Sequence, residues 1–213
     1  MLDRLISQLD TLVPFLGLAH DEIFQVIHDK NRDWFSSSQR EALPETFTAY
    51  QGQVAVSAFL LGYSYFEAFI ADLAKAILVS RPQLLPKDKN VSFGAVIDSG
   101  DYDILLGKIV EQQVLSVMYN SIEKVSEYFH KTLHIQWPEA TDEYTVVKAS
   151  LIRNCFMHNG GIVDTRLSNV SGLTEGAEIE IAPADVHQYG INIRHFARNV
   201  YQQAESKHLN NHA

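Results

Sequence analysis

The chain has 213 residues, of which 46% are apolar and 20% charged, and its 17 Lys and Arg stand against 26 Asp and Glu for a net charge of −9. Such a chain is long enough to bury a core without disulfides or metals, and its composition is that of a folded globular domain. The acidic balance excludes a broadly basic coat for nucleic acid, so any polyanion must bind in a local pocket of opposite sign. Cys155 is the only cysteine, which excludes an intrachain disulfide and a cysteine zinc cluster.

The apolar spacing of Leu2, Leu5, Ile6, Leu9 and Val13 predicts a first helix, and a second is expected from His20 to Trp34 with Asp21 and Glu22 in its positive first turn. The apolar run Thr11–Ala19 between them is short, contains Pro14 and follows Asp3 and Asp10. It therefore reads as neither a secretory signal nor a membrane span. Ser36, Ser37 and Ser38 mark a break. Pro44 is expected to open a long helix that reaches Leu78 and is stopped by Arg81-Pro82. Its centre, Val54 to Val79, is apolar on nearly every face but carries Glu67, Asp72 and Lys75. We read it as a core helix surrounded by protein, in a soluble cytoplasmic protein with no membrane span.

A polar loop is expected at Pro86–Asn90, then helices over Phe93–Ile97, Tyr102–Met118 and Ser121–Leu133. Trp137-Pro138 leads into another helix, Glu139–His158, stopped by Asn159-Gly160-Gly161. Ile162–Val170 and the alternating Glu178–Ile181 are expected to be extended. Gly172–Gly176 between them would turn a small β-hairpin. Pro183 opens a closing helix to Ser206, and the tail from Lys207 to Ala213 is expected to fray. The fold class predicted is all-α, a helical bundle with a small β-hairpin before the last helix. It forms a single domain over residues 1–213, with N-terminal helices over 1–45, a core bundle over 46–158, the hairpin over 159–183 and the closing helix over 184–206.

One helix carries the chemistry. Between Tyr144 and Val163 there is no acid, while Lys148 and Arg153 make a positive island in an acidic chain. At about 100° per residue, Arg153 lies about 100° to one side of Asn154, with His158 about 40° to the other and Ser150 about 40° back. Leu151, Ile152, Cys155 and Phe156 make most of the remaining surface apolar. A polar stripe of Arg153, Ser150, Asn154 and His158 must therefore meet partners inside the bundle or face a cleft, because burying such groups unpaired costs about 1–3 kcal/mol each. Arg presents a planar fork of donors that suits a phosphate. His exchanges a proton near neutrality, and Asn can orient the imidazole or donate to a phosphoryl oxygen. A helix C-terminus favours the imidazolium, which suits an acid more than a base. The same residues also have a structural reading: cations in a last turn oppose the helix dipole, and Asn-Gly-Gly is an ordinary stop.

The run RNCFMHNGGIVD, with Arg153, Asn154 and, after three further residues, His158, resembles the motif of the HEPN superfamily, in which Arg, an adjacent polar residue and a later His stand near the end of a helix. YSYFEAFIADLAKAIL and EYFHKTLHIQW fit the same pattern. The likeness spans about Gln51 to Gln203, and only the motif helix is specific. The resemblance implies a helical bundle that dimerises through the motif face. It also implies a metal-independent endoribonuclease with a composite site and no cofactor, of the toxin or antiviral-defence kind. Carried over, Arg153 would contact the scissile phosphate, Asn154 would be the adjacent polar residue and His158 the acid or base. RNA is the expected partner, a homodimer the expected assembly, and an antitoxin or regulator a separate protein. The alternative is a HEPN module that binds RNA, nucleotide or a protein without cleaving.

Supporting roles are assigned to Glu67, which could hold the Arg153 fork or pair with Tyr63 one turn earlier, to Ser150, and to Lys148 at the edge of the island. His130 and His134, four apart, are expected to face solvent rather than bind a metal, since no further ligand follows at convincing spacing. Cys155 lies on the apolar side of its helix and is expected to pack inertly.

Overall fold

The computed structural model describes residues 37–87, 91–138 and 140–209, which are 77% helix with no strand among them. The helices expected at 2–13 and 20–34 lie outside the described residues. In chain order there follow α1 (Ser37–Ser80), a 3-10 turn (Pro82–Leu84), α2 (Phe93–Ser99), α3 (Tyr102–Met118), α4 (Ile122–Lys131), α5 (Ala140–His158), α6 (Thr165–Ser171) and α7 (Pro183–Ala204), which runs on into a π-helical turn (Glu205–Leu209). The all-α class thus stands.

Local signals set most of the boundaries. Arg81-Pro82 ends α1, with the Arg81 N–H still bonded to the Ile77 carbonyl at 2.7 Å. The Asp101 carboxylate caps α3 by accepting from the Asp103 and Ile104 amides at 2.7 and 3.1 Å. The start of α1 differs from expectation. It begins at Ser37, so Pro44 sits inside the helix rather than opening it. Proline in a helix interior removes one ladder bond at about 3 kcal/mol. A 44-residue helix absorbs that single loss.

The core helix is also less enclosed than its composition suggests. Ala55, Ala58, Phe59, Tyr63, Phe66, Phe69, Ile70, Leu73, Ala74, Ile77 and Leu78 are buried. A narrow opposite face is exposed, running Ser57, Leu61, Ser64, Ala68, Asp72, Lys75, Val79 at spacings of three or four. Alanine and serine blur hydrophobic periodicity, and the Ser57 and Ser64 hydroxyls donate to carbonyls one turn back, at 2.8 and 2.9 Å, so they sit comfortably on a helix face. Gly52–Ser80 is long and apolar enough to cross a membrane, but 44% of its most apolar stretch is buried, which is compatible with a soluble protein.

The larger correction concerns the expected hairpin. Thr165–Ser171 is helical, not extended. Asp164 caps it by accepting from the Leu167 amide at 2.7 Å, and Gly172 closes it in the left-handed conformation with φ +72°, its N–H on the Ser168 carbonyl. Helix α6 on one side and Pro183 of α7 on the other leave room for one isolated antiparallel bridge, Ile162 with Glu178. It is flanked by Val163 N–H to the Ala177 carbonyl at 2.9 Å and Ile179 N–H to the Gly161 carbonyl at 2.8 Å.

The chain divides into two compact units. The first takes the described residues up to Tyr65 together with Lys148–Arg194. Its core is Phe59 and Tyr63 of α1, Leu151, Ile152 and Cys155 of α5, Val163, and Leu167 of α6, and Phe59 meets Tyr189 edge to face at 5.3 Å. Each large apolar side chain so buried contributes about 1.5–3 kcal/mol.

The second unit takes Phe66–Val147 and the residues from His195 onward. A chain of edge-to-face rings runs Phe66, Phe196, Trp137, Phe129, at centroid distances of 5.5, 4.8 and 6.0 Å. Trp137 of the Trp-Pro pair thus anchors the entry to α5. The fraying expected from Lys207 onward does not occur at Lys207 and His208, while residues 210–213 lie outside the described residues. His208 is buried with its Nε2 on the Leu133 carbonyl at 2.7 Å, and Lys207 Nζ donates to the His134 carbonyl at 2.7 Å. Gln203 exchanges two hydrogen bonds with the Gln136 backbone, at 2.9 and 2.6 Å. Three side chains thereby satisfy the carbonyls of a non-helical stretch that has no ladder of its own.

Candidate functional site

Among the described residues, helix α5 is buried around its middle and exposed in its last turn. Val146, Ala149, Ser150, Leu151, Ile152 and Cys155 are at most 9% exposed. Since these positions lie in all directions around the axis, the helix is enclosed there on every side. Arg153 and Asn154 are half-buried, and Met157 and His158 are exposed. The polar stripe predicted from spacing therefore runs from a dry middle to a wet last turn.

Within it, Arg153 Nη1 donates to the Asn154 Oδ1 at 2.9 Å. His158 is exposed at the helix C-terminus. The stop behind it is built. The Cys155 carbonyl accepts from both the Asn159 and Gly161 amides, at 2.8 and 3.0 Å, and the Asn159 side chain donates to the Ile162 carbonyl at 2.8 Å. Gly160 and Gly161 turn the chain with φ of +61° and +81°. The backbone carrying His158 is thus held by four hydrogen bonds, counting Ile162 N–H to the Asn159 carbonyl at 3.1 Å.

Of the supporting residues, Ser150 is buried in the same helix and Lys148 is half-buried one turn before Ile152. Glu67 is half-buried and belongs to the second unit, whereas Arg153, Asn154 and His158 all belong to the first. Cys155 is 1% exposed. Burial pushes its thiol up, and of the effects of neighbouring Asp164, the backbone hydrogen bond pulls down while the carboxylate adds to the rise. A neutral, enclosed thiol is a poor nucleophile.

His130 is exposed on α4, and His134 is exposed in the loop beyond it with φ +55°, so the pair is not on one helix face. Among the described residues no group of three or more His, Cys, Asp or Glu is placed to hold a metal ion. Sequence reasoning did not single out one further feature. An open pocket of about 280 Å³ in the second unit is lined by Val117, Asn120, Lys124, Glu127, Tyr128, Lys131 and Thr132, none of them a predicted site residue. Its two lysines lie among Glu127 and polar groups on an amphipathic helix, and Lys131 is paired with Glu127.

No family model matches the chain, and no curated protein or solved structure matches it significantly.

Proposed function

We propose that the protein is a metal-independent endoribonuclease of the HEPN type, acting as a toxin or anti-phage effector. One observation carries this reading: an exposed histidine at the end of a buried helix, with a half-buried Arg–Asn pair one turn before it. Arg153 would bind the scissile phosphate and stabilise the charge that builds on its oxygens at five-coordinate phosphorus. His158 would protonate the leaving 5′-oxygen. The attacking 2′-oxygen then forms a 2′,3′-cyclic phosphate as the 5′ bond breaks. One histidine cannot readily serve both oxygens. A second copy of the stripe, from a homodimer joined through the end of α5, would supply the base. The exposed Met157 beside His158 supports such a contact.

The test is cleavage of total RNA in EDTA by the wild type, Arg153→Ala and His158→Ala, with folding checked by circular dichroism. Each substitution is expected to lower the rate about a hundredfold or more, as loss of an acid–base group does. Unchanged cleavage by both folded variants overturns the reading. Binding of RNA or nucleotide by the wild type without turnover supports the non-catalytic HEPN module instead. The net charge of −9 favours that second reading in one respect, since non-specific affinity for RNA is then weak and falls steeply with salt.

A further inference from the structure

Helix α2 (Phe93–Ser99) is seven residues long. A helix that short does not hold in water by itself and depends on burying a face. Yet α2 buries little. Of its described side chains only Ser99 is half-buried, and Phe93 and Ile97, one turn apart on one face, are 87% and 72% exposed. Helix α2 packs against α3 (Tyr102–Met118), whose first turn adds Tyr102 and Ile104, 67% and 53% exposed. A folded chain seldom leaves so many large apolar side chains in water over so short a stretch unless another surface covers them.

The charges beside these residues select the occupant. From Asn90 to Gly107 there is no basic residue, whereas Asp98, Asp101 and Asp103 are all exposed. A second copy of the chain would bring two sets of carboxylates together, and an anionic membrane would meet the same repulsion. No strand among the described residues offers an edge, so an extended peptide has no ladder to join. We propose that α2 and the first turn of α3 dock a basic amphipathic helix of another protein, its apolar face on Phe93 and Ile97 and its Lys or Arg side chains against Asp98 and Asp103. The apolar anchors supply most of the affinity, and the carboxylates supply orientation and salt dependence. This surface uses none of Arg153, Asn154 and His158, so it stands apart from the ribonuclease reading.

The experiment titrates the full chain into two fluorescently labelled helical peptides, one of leucine and lysine, the other of leucine and glutamate in the same pattern. The leucine–lysine peptide is expected to bind and to slow hydrogen exchange in α2, and the leucine–glutamate peptide is expected not to bind. Phe93→Ser combined with Ile97→Ser is expected to weaken binding about tenfold or more. Asp98→Asn combined with Asp103→Asn is expected to weaken it about threefold and to flatten its salt dependence. Asp101 is left in place because it caps α3, and circular dichroism checks that each variant folds. Equal binding of the two peptides, equal binding by wild type and the Phe93→Ser/Ile97→Ser variant, or unchanged exchange in α2 overturns the proposal. Sedimentation and flotation with phosphatidylserine vesicles test the other occupants. Self-association or vesicle binding that the same variant abolishes assigns the face to a second copy or to a membrane and overturns the proposal as well.

Discussion

A methyl group at position 161 has nowhere to go. A Cβ there would lie 2.9 Å from the Phe156 ring, and the φ of +81° is one that L side chains rarely adopt. Gly161→Ala is expected to destabilise the protein by about 1–3 kcal/mol, read as a lower urea midpoint with unchanged slope. Gly107 gives the contrast. It lies inside α3 with nothing within 4 Å of an added Cβ, so Gly107→Ala is expected to stabilise by about 0.5–1 kcal/mol. At this scale the sequence was informative about identity and less so about contact. Arg153, Asn154 and His158 could be chosen as candidates from chemistry and helical spacing. The Arg153–Asn154 bond could not, because adjacent helix positions project about 100° apart and only a bent side chain joins them.

Among the elements, helix ends were the most legible feature. Asp101 and Ser121 both precede helices, but only Asp101 makes a side-chain capping bond. Asp101→Ala is expected to cost about 1 kcal/mol in thermal or urea unfolding, and Ser121→Ala to change little. The Tyr102–Met118 and Phe93 starts, the stop at Arg81-Pro82 and the Asn-Gly-Gly stop of α5 all agree with expectation because a cap or a proline acts on the adjacent few residues. The miss at α6 has the same origin. Ile162–Val170 is expected to be extended, yet Asp164 and Gly172 frame a seven-residue helix, and capping outweighs β-branched propensity in so short a piece.

For the whole molecule, burial links two groups to alkaline stability. The Cys155 thiol and the Tyr128 phenol are both pushed up by burial, which for Tyr128 outweighs the opposing effect of the nearby Gln113 side chain. In the unfolded chain they lose their protons near about 8.5 and 10. Above those values the unfolded state holds fewer protons than the folded one, so stability falls as pH rises, and below them the full contribution is present. Urea unfolding between pH 7 and 10.5 is expected to show a decline that starts near about 8.5, and Cys155→Ala is expected to remove that first part of the slope.

The sequence by itself determined the helical class, most helix boundaries and the candidate stripe on α5, because capping, proline chemistry and helical period act over a few neighbouring residues. Tertiary structure alone decided which face of α1 is exposed, that the middle of α5 is buried while its last turn is exposed, and that Gln203, Lys207 and His208 fasten the end of α7 and the turn after it to the Leu133–Gln136 stretch. Those outcomes depend on side chains separated by tens of residues finding one another, and no local spacing encodes which of them will meet.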